Sequence, residues 1–278
     1  VYDPAARQAL PAQFEPSTPG GREGLLVVRL SGELAPNAER RLEVLAQAGK
    51  SSVLAPAGSY WLAGEQRVET PFYGLNLASG MVTDIEWRPN PKPGPAVSFV
   101  SYSNAVTGWT TETGRTEALE VLAAGPVRTV LRLKRNLAEG KAIFTRTYAF
   151  YADWFEVTTD ARPSLTGLHN RFHYVREATY VDSAAKTTRI DGKGDDDDKI
   201  SGAPPAWVAV IGDGWAHSMI PLEKPTGLTY WDGGSWGGLG YSGTAERSRQ
   251  AFVFHGSCPD ASFAAADAAR LQNPVRLE

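Results

Sequence analysis

The sequence predicts an all-β protein, a large antiparallel β-sandwich (supersandwich) with a short C-terminal helix. Short runs rich in Val, Thr, Tyr, Phe and Trp alternate polar and apolar positions, and Gly, Pro, Asn and Asp interrupt them frequently. The one helical pattern follows Pro259, where Asp260 is placed to cap the Ala-rich residues 261–271. Because β-sandwiches commonly reach 278 residues as one unit, we expect residues 1–278 to form a single domain.

The clearest strand pattern covers residues 127–134, where apolar and basic residues alternate. Leu131 and Leu133 fall on one face and Arg132 and Lys134 on the other, as in a half-solvated antiparallel strand. By composition, residues 37–47 also fit a helix, but their alternation favours a strand. The predicted strands are residues 25–30, 41–45, 97–102, 118–122, 127–134, 142–151, 154–159, 168–179, 207–211, 215–220 and 250–255.

Charge and hydrophobicity exclude two classes of partner. With 28 basic and 31 acidic residues the net charge is −3, so the chain offers no general attraction to nucleic acid, and we expect none to bind. Its apolar runs are far shorter than the ~20 residues of a membrane-spanning helix, so we expect a chain that is not membrane-spanning. The chain begins at Val1 without a leader pattern, and we interpret it as a mature exported protein, secreted, periplasmic or at the cell surface.

A histidine-rich segment is the first candidate site. If residues 168–176 form a strand, His169, Arg171 and His173 share one face, and Tyr174 and Arg176 share the other. An Arg side chain can bind a carboxylate through two hydrogen bonds, and His or Tyr can move a proton near neutral pH. We therefore predict His169, Arg171, His173 and Tyr174 as catalytic and Arg176 as substrate-binding. The alternative is a solvent-facing polar stripe on an edge strand.

The segment 212–241 combines many glycines with aromatic residues. Aromatic rings stack on the apolar faces of sugars, and glycines let the backbone approach a ligand closely. A sugar-binding rim is one interpretation, and ordinary sheet packing with tight turns is the other. The predicted substrate-binding residues are Trp215, His217, Tyr230, Trp231, Trp236 and Tyr241.

No cofactor or metal is expected from the motifs. The acidic run 195–198 lacks the ligand spacing and the bidentate Glu of a calcium loop, so a solvated loop is the favoured interpretation. No zinc spacing, phosphate-binding loop, nucleophile elbow or dinucleotide fingerprint is present in the sequence, which argues against serine-triad hydrolysis and nicotinamide chemistry.

Several strand patterns resemble a known superfamily. Residues 118–130, 144–148 and 154–157 look like the large sandwich of galactose-mutarotase-like proteins, and are most similar to sandwich domains of exo-acting rhamnogalacturonan lyases. The resemblance implies a concave sheet face that binds carbohydrate, and often export. It leaves the activity open, because the same fold serves epimerases, lyases, hydrolase accessory domains and binding modules.

These observations predict an exported carbohydrate-active or carbohydrate-binding sandwich, with carbohydrate as its partner. If it is an enzyme, the histidine stripe suits a polysaccharide lyase acting on uronate-containing glycans, or a sugar epimerase. The alternative is a non-catalytic extracellular module, a homo-oligomer or a subunit of a surface assembly, since strand-rich chains associate readily through their edges.

Overall fold

The computed structural model describes residues 1–18, 21–30, 38–44, 58–77, 82–88, 99–103, 110–111, 116–137, 142–162, 168–172, 178–189, 206–223, 227–232, 237–242 and 247–273. The strands are β1 (Tyr2–Asp3), β2 (Gln8–Ala9), β3 (Ala12–Pro16), β4 (Gly24–Val28), β5 (Tyr60–Leu62), β6 (Arg67–Glu69), β7 (Tyr73–Asn76), β8 (Thr83–Trp87), β9 (Phe99–Ser103), β10 (Thr110–Thr111), β11 (Thr116–Ala124), β12 (Thr129–Leu137), β13 (Ala142–Phe150), β14 (Trp154–Arg162), β15 (Leu168–Phe172), β16 (Thr179–Asp182), β17 (Thr187–Arg189), β18 (Val208–Gly212), β19 (Trp215–Pro221), β20 (Gly227–Asp232), β21 (Gly237–Ser242) and β22 (Arg247–His255). The described helix is α1 (Ser262–Gln272).

Three antiparallel sheets carry most of these strands. The largest has nine strands in the order β11-β12-β13-β14-β22-β19-β18-β16-β17. A four-stranded sheet runs β5-β6-β7-β8, and a five-stranded sheet runs β10-β9-β15-β21-β20. Two short hairpins, β1-β2 and β3-β4, complete the described strands. The prediction of a large antiparallel sandwich with a short C-terminal helix is confirmed.

The main core lies between the nine-stranded and four-stranded sheets. Val68, Leu75 and Trp87 of the smaller sheet share one buried cluster with Leu131 and Phe252 of the larger sheet. Burial of each such side chain contributes about 1.5–3 kcal/mol to folding. The face of the nine-stranded sheet that meets this core is called the inner face below, and the opposite one the outer face.

Alternation in β12 and β13 follows the sequence pattern. Leu131 and Leu133 are fully buried on the inner face, while Arg132 and Lys134 are exposed on the outer face. The tight turn after β13 is closed by a 2.8 Å hydrogen bond from the Tyr151 amide to the Trp154 carbonyl. The predicted alternation is therefore confirmed.

Helix α1 covers part of the outer face. Ala268 packs with Ile220 of β19 and with Ala251 and Val253 of β22. The helix begins at Ser262, and the Asp260 carboxylate accepts a 2.8 Å hydrogen bond from the Ser262 amide. The described helix has 11 residues, and no helix among the described residues is long and apolar enough to span a bilayer.

The strand prediction for residues 41–45 is wrong. In the described part of residues 41–45, only Glu43 pairs, in an isolated bridge with Tyr2. The Tyr2 amide donates to the Glu43 carbonyl and the Glu43 amide donates to the Tyr2 carbonyl, each at 2.8 Å, but the neighbouring described residues do not extend this pair into a ladder. Alternation alone does not make a strand when there is no neighbouring strand to complete the hydrogen bonds.

Candidate functional site

The two predicted site segments become neighbouring strands. Residues 168–172 form β15, which pairs with β21, and β21 pairs with β20. The histidine segment and the glycine-rich segment therefore belong to one five-stranded sheet, although about seventy positions separate His169 from Gly240. Backbone pairing brings them together, and sequence spacing does not reveal it.

Register decides which residues share a face of this sheet. His169 lies opposite Gly240, and Gly238 lies opposite Trp231. Because directly paired residues share a face and alternate residues return to it, His169, Arg171, Gly238, Gly240 and Trp231 lie on one face. Strand β21 lies between the strand of His169 and the strand of Trp231, and on that face it carries glycine at two alternate positions, Gly238 and Gly240.

Two of the predicted aromatic residues fall on the other face. Tyr241 pairs with Leu168 and with Leu228, and Tyr230 pairs with Leu239. This differs from the prediction of one common rim, because a strand puts successive residues on opposite faces. His173, Tyr174, Arg176 and Trp236 lie outside the described residues, as does the acidic run 195–198.

Trp215 and His217 are core residues, which corrects their prediction as substrate-binding. They are only 4% and 2% exposed, on the inner face of β19 in the nine-stranded sheet. The Trp87 ring lies 5.2 Å from the Trp215 ring and 6.0 Å from the His217 ring, measured between centroids. Burial lowers the pKa of His217 to about 3, so its imidazole is neutral in the folded protein at neutral pH.

Two buried arginines on the inner face are not among the predicted site residues. Arg135 and Arg146 are 2% and 1% exposed. The Arg146 guanidinium donates to the Thr159 hydroxyl at 3.2 Å and to the Tyr148 hydroxyl at 3.4 Å. The signal was present, since Arg135 continues the inward alternation of Leu131 and Leu133. A buried guanidinium is costly without partners, so this end of the inner face is built as a polar network.

A Ser, an Asp and a His also meet on the outer face. The Asp267 carboxylate oxygen Oδ2 lies 2.7 Å from both the Ser218 hydroxyl and the His255 ring nitrogen Nε2. In a hydrolytic triad the histidine stands between serine and carboxylate, whereas here the carboxylate stands between the other two. The cluster therefore anchors α1 to β19 through Ser218 and to β22 through His255. Across the described residues, no group of three or more His, Cys, Asp or Glu side chains could hold a metal ion.

Comparison by sequence finds no relative. No protein-family model matches the chain. No curated protein matches it either.

Comparison by structure finds several. An α-mannosidase from Enterococcus faecalis V583 aligns with a TM-score of 0.56 and 12% identity, over 84% of this chain and 33% of that one. An α-N-acetylgalactosaminidase from Bifidobacterium bifidum, a quadruple mutant, aligns with a TM-score of 0.55 and 11% identity, over 73% and 38% of the two chains. This chain thus spans about a third of the length of those structures.

A galactose mutarotase related enzyme from Lactobacillus acidophilus aligns over 73% of this chain and 99% of its own, with 8% identity and a TM-score of 0.44. Similarity to rhamnogalacturonan lyases stays a prediction. At such identities the two hydrolase alignments show the fold alone: this chain forms a large antiparallel β-sandwich of the kind those proteins contain.

Proposed function

We propose that this chain is a carbohydrate-binding, carbohydrate-active sandwich whose site lies on the His169 face of the five-stranded sheet. The observation that carries the proposal is the register of β15, β21 and β20, with Gly238 and Gly240 between His169 and Trp231. Neighbouring strands are about 4.8 Å apart, so β15 and β20 lie about 10 Å apart, enough for one sugar ring above the glycines. The two hydrolases with the same fold act, by name, on sugar substrates.

The residue types support β-elimination on a uronate-containing glycan. Arg171 would neutralise the uronate carboxylate and so lower the barrier to removal of the C5 proton. His173, which the strand period puts on the same face, would take that proton, and His169 would protonate the departing oxygen at C4. The C5–H and C4–O bonds break, and a C4–C5 double bond forms, so the step needs no cofactor. An epimerase would use the same acid and base without expelling the C4 oxygen.

The test is an absorbance assay for the unsaturated uronate, with acidic polysaccharides as substrates. We expect His169→Ala and Arg171→Ala to lose at least a hundredfold in rate. Asn170→Ala is the matched control, because Asn170 lies on β15 but on the opposite face. Equal loss in the control, with folding intact, would contradict the assigned face.

The rival is a non-catalytic glycan-binding module or a subunit of an assembly. Glycan binding without turnover would favour the module, and the same three variants would then be compared by affinity. No binding to any glycan would refute the carbohydrate proposal itself. Export, the remaining part of the proposal, is tested by fractionating cells that express the native gene.

A further inference from the structure

Strand β4 is an apolar edge strand on the surface of the protein. Among the described strands it pairs with β3 alone, and its residues, Gly-Leu-Leu-Val-Val, include no charge and no proline. Leu25 is 56% exposed and Leu26 is 37% exposed, and Phe14, opposite Leu26 on β3, is 50% exposed. Proteins usually protect such an edge with charges, proline or a covering segment. An apolar edge that remains exposed is a surface for pairing with another chain.

The hydrogen bonds of the β3-β4 hairpin show which backbone groups of β4 point away from β3. The Ser17 amide donates to the Glu23 carbonyl at 2.8 Å, and the Arg29 amide donates to the Pro11 carbonyl at 2.9 Å. In an antiparallel ladder, residues that bond to the partner strand alternate with residues that do not. The register between these two bonds is regular, so every second residue of β4 directs its N–H and C=O groups outward. These residues are Gly24, Leu26 and Val28.

The other edge of the hairpin is less suited to pairing. Pro16 of β3 lies opposite Gly24, so its backbone also points away from the partner strand. Because proline has no N–H, β3 cannot donate a hydrogen bond outward at this position. The edge of β4 is therefore the one that can accept another strand.

Charges at the two ends of β4 select one register for a second copy of the chain. Glu23 precedes the apolar stretch and Arg29 follows it; both are exposed, and within the described residues neither side chain takes part in an ion pair. If two copies pair antiparallel with Leu26 opposite Leu26, Glu23 of each copy lies opposite Arg29 of the other. These are non-hydrogen-bonded pairs, in which the side chains are closest. A shift of the register in either direction removes both ion pairs.

The same register also satisfies the backbone. It places Leu26 opposite Leu26 of the second copy and Gly24 opposite Val28, so that all the outward-pointing groups of β4 meet. About six hydrogen bonds would join the copies, two at each of these pairs. Phe14 and Leu26 of both copies would form one apolar row across the sheet, because directly paired residues share a face.

We propose that the β4 edge joins two copies of this chain into a two-fold dimer with a continuous four-stranded sheet in the order β3-β4-β4-β3. Both copies use the same edge, so the contact closes and association stops at the dimer. The dimer does not depend on the proposed carbohydrate site, because β3 and β4 are not part of the five-stranded sheet.

The test is sedimentation velocity over a range of chain concentrations, with substitutions at exposed positions that leave the core intact. Arg29→Glu and Glu23→Arg each place like charges opposite one another at both ends of the contact, so each should weaken the dimer at least about tenfold. The double variant, Glu23→Arg with Arg29→Glu, should regain the wild-type affinity. An equimolar mixture of the two single variants should form a heterodimer, because opposite charges then face each other again.

Arg22→Glu is the matched control. It makes the same change of charge as Arg29→Glu at a neighbouring exposed position, but Arg22 projects from the opposite face to Glu23 and would lie opposite Leu30 of the second copy. A second variant, Leu26→Pro, removes an outward N–H that pairing with β3 does not use. Its circular dichroism should match the wild type while its dimer is weakened.

A wild type that stays monomeric at every concentration would overturn the inference. So would a mixture of the single charge variants that forms no heterodimer, or equal weakening by Arg22→Glu and Arg29→Glu. A dimer that none of these variants weakens would assign the contact to another surface and would overturn it as well.

Discussion

Burial of His217 predicts that the protein loses stability in mild acid. The perturbation is a change from pH 7.5 to pH 4.5. In the unfolded chain His217 titrates near 6.5, whereas burial holds its folded pKa at about 3. Between pH 6.5 and about pH 3, His217 is therefore protonated in the unfolded state but neutral in the folded state. Stability falls as the pH falls through this range. At pH 4.5, two pH units below 6.5, the free energy of unfolding is therefore lower by about 3 kcal/mol, because each unit contributes about 1.4 kcal/mol.

The assay is urea unfolding at both pH values, followed by tryptophan fluorescence, for the wild type and His217→Gln. Carboxylates elsewhere titrate in both proteins, so the difference between the two pH dependences isolates His217. The variant should be less stable at pH 7.5 but should lose about 3 kcal/mol less on acidification. An identical pH dependence in the two proteins would refute the reasoning.

Two further predictions concern packing and the helix anchor. Gly212→Ala should destabilise the fold by about 3 kcal/mol, because the added methyl would overlap the buried Trp215 ring. Gly64→Ala is the control and should change stability little, because no atom lies near the position of its added methyl. Thermal unfolding compares the two variants, and similar melting temperatures would contradict the steric argument. Asp267→Ala should cost about 3 kcal/mol by removing the hydrogen bonds to Ser218 and His255. The amide hydrogen-exchange rates of α1 should then rise. Asp160→Ala, which removes an exposed carboxylate from the same sheet, is the control and should leave those rates unchanged. Unchanged rates in the Asp267 variant as well would show that Asp267 does not anchor the helix.

The alternation of polar and apolar residues predicted the strands well where one face of the strand is buried and the other is exposed to solvent. The alternation around Leu131 and Arg132 is an example, because a period of two fixes both faces at once. Arg135 shows the limit, since its residue type suggests solvent while its position in the alternation puts it inside. Here the backbone period prevails over the residue type.

The candidate site was harder to predict for two reasons. Strand β19 is buried on both faces, by the core and by α1, so the aromatic residues there looked like a rim but are core. Pairing of β15 with β21 depends on long-range register, which the two segments do not encode by themselves. Their shared sheet, and the position of Trp231 on the same face as His169, could not be deduced without that register.

The position of β22 in the nine-stranded sheet has a consequence for synthesis of the chain. This strand lies between β14 and β19, yet it is the last of the sheet's strands to leave the ribosome. Until then β14 and β19 each present an unpaired edge, and the sheet exists as two separate halves. Such edges attract other chains, so nascent protein released before His255 is expected to need a chaperone to avoid aggregation.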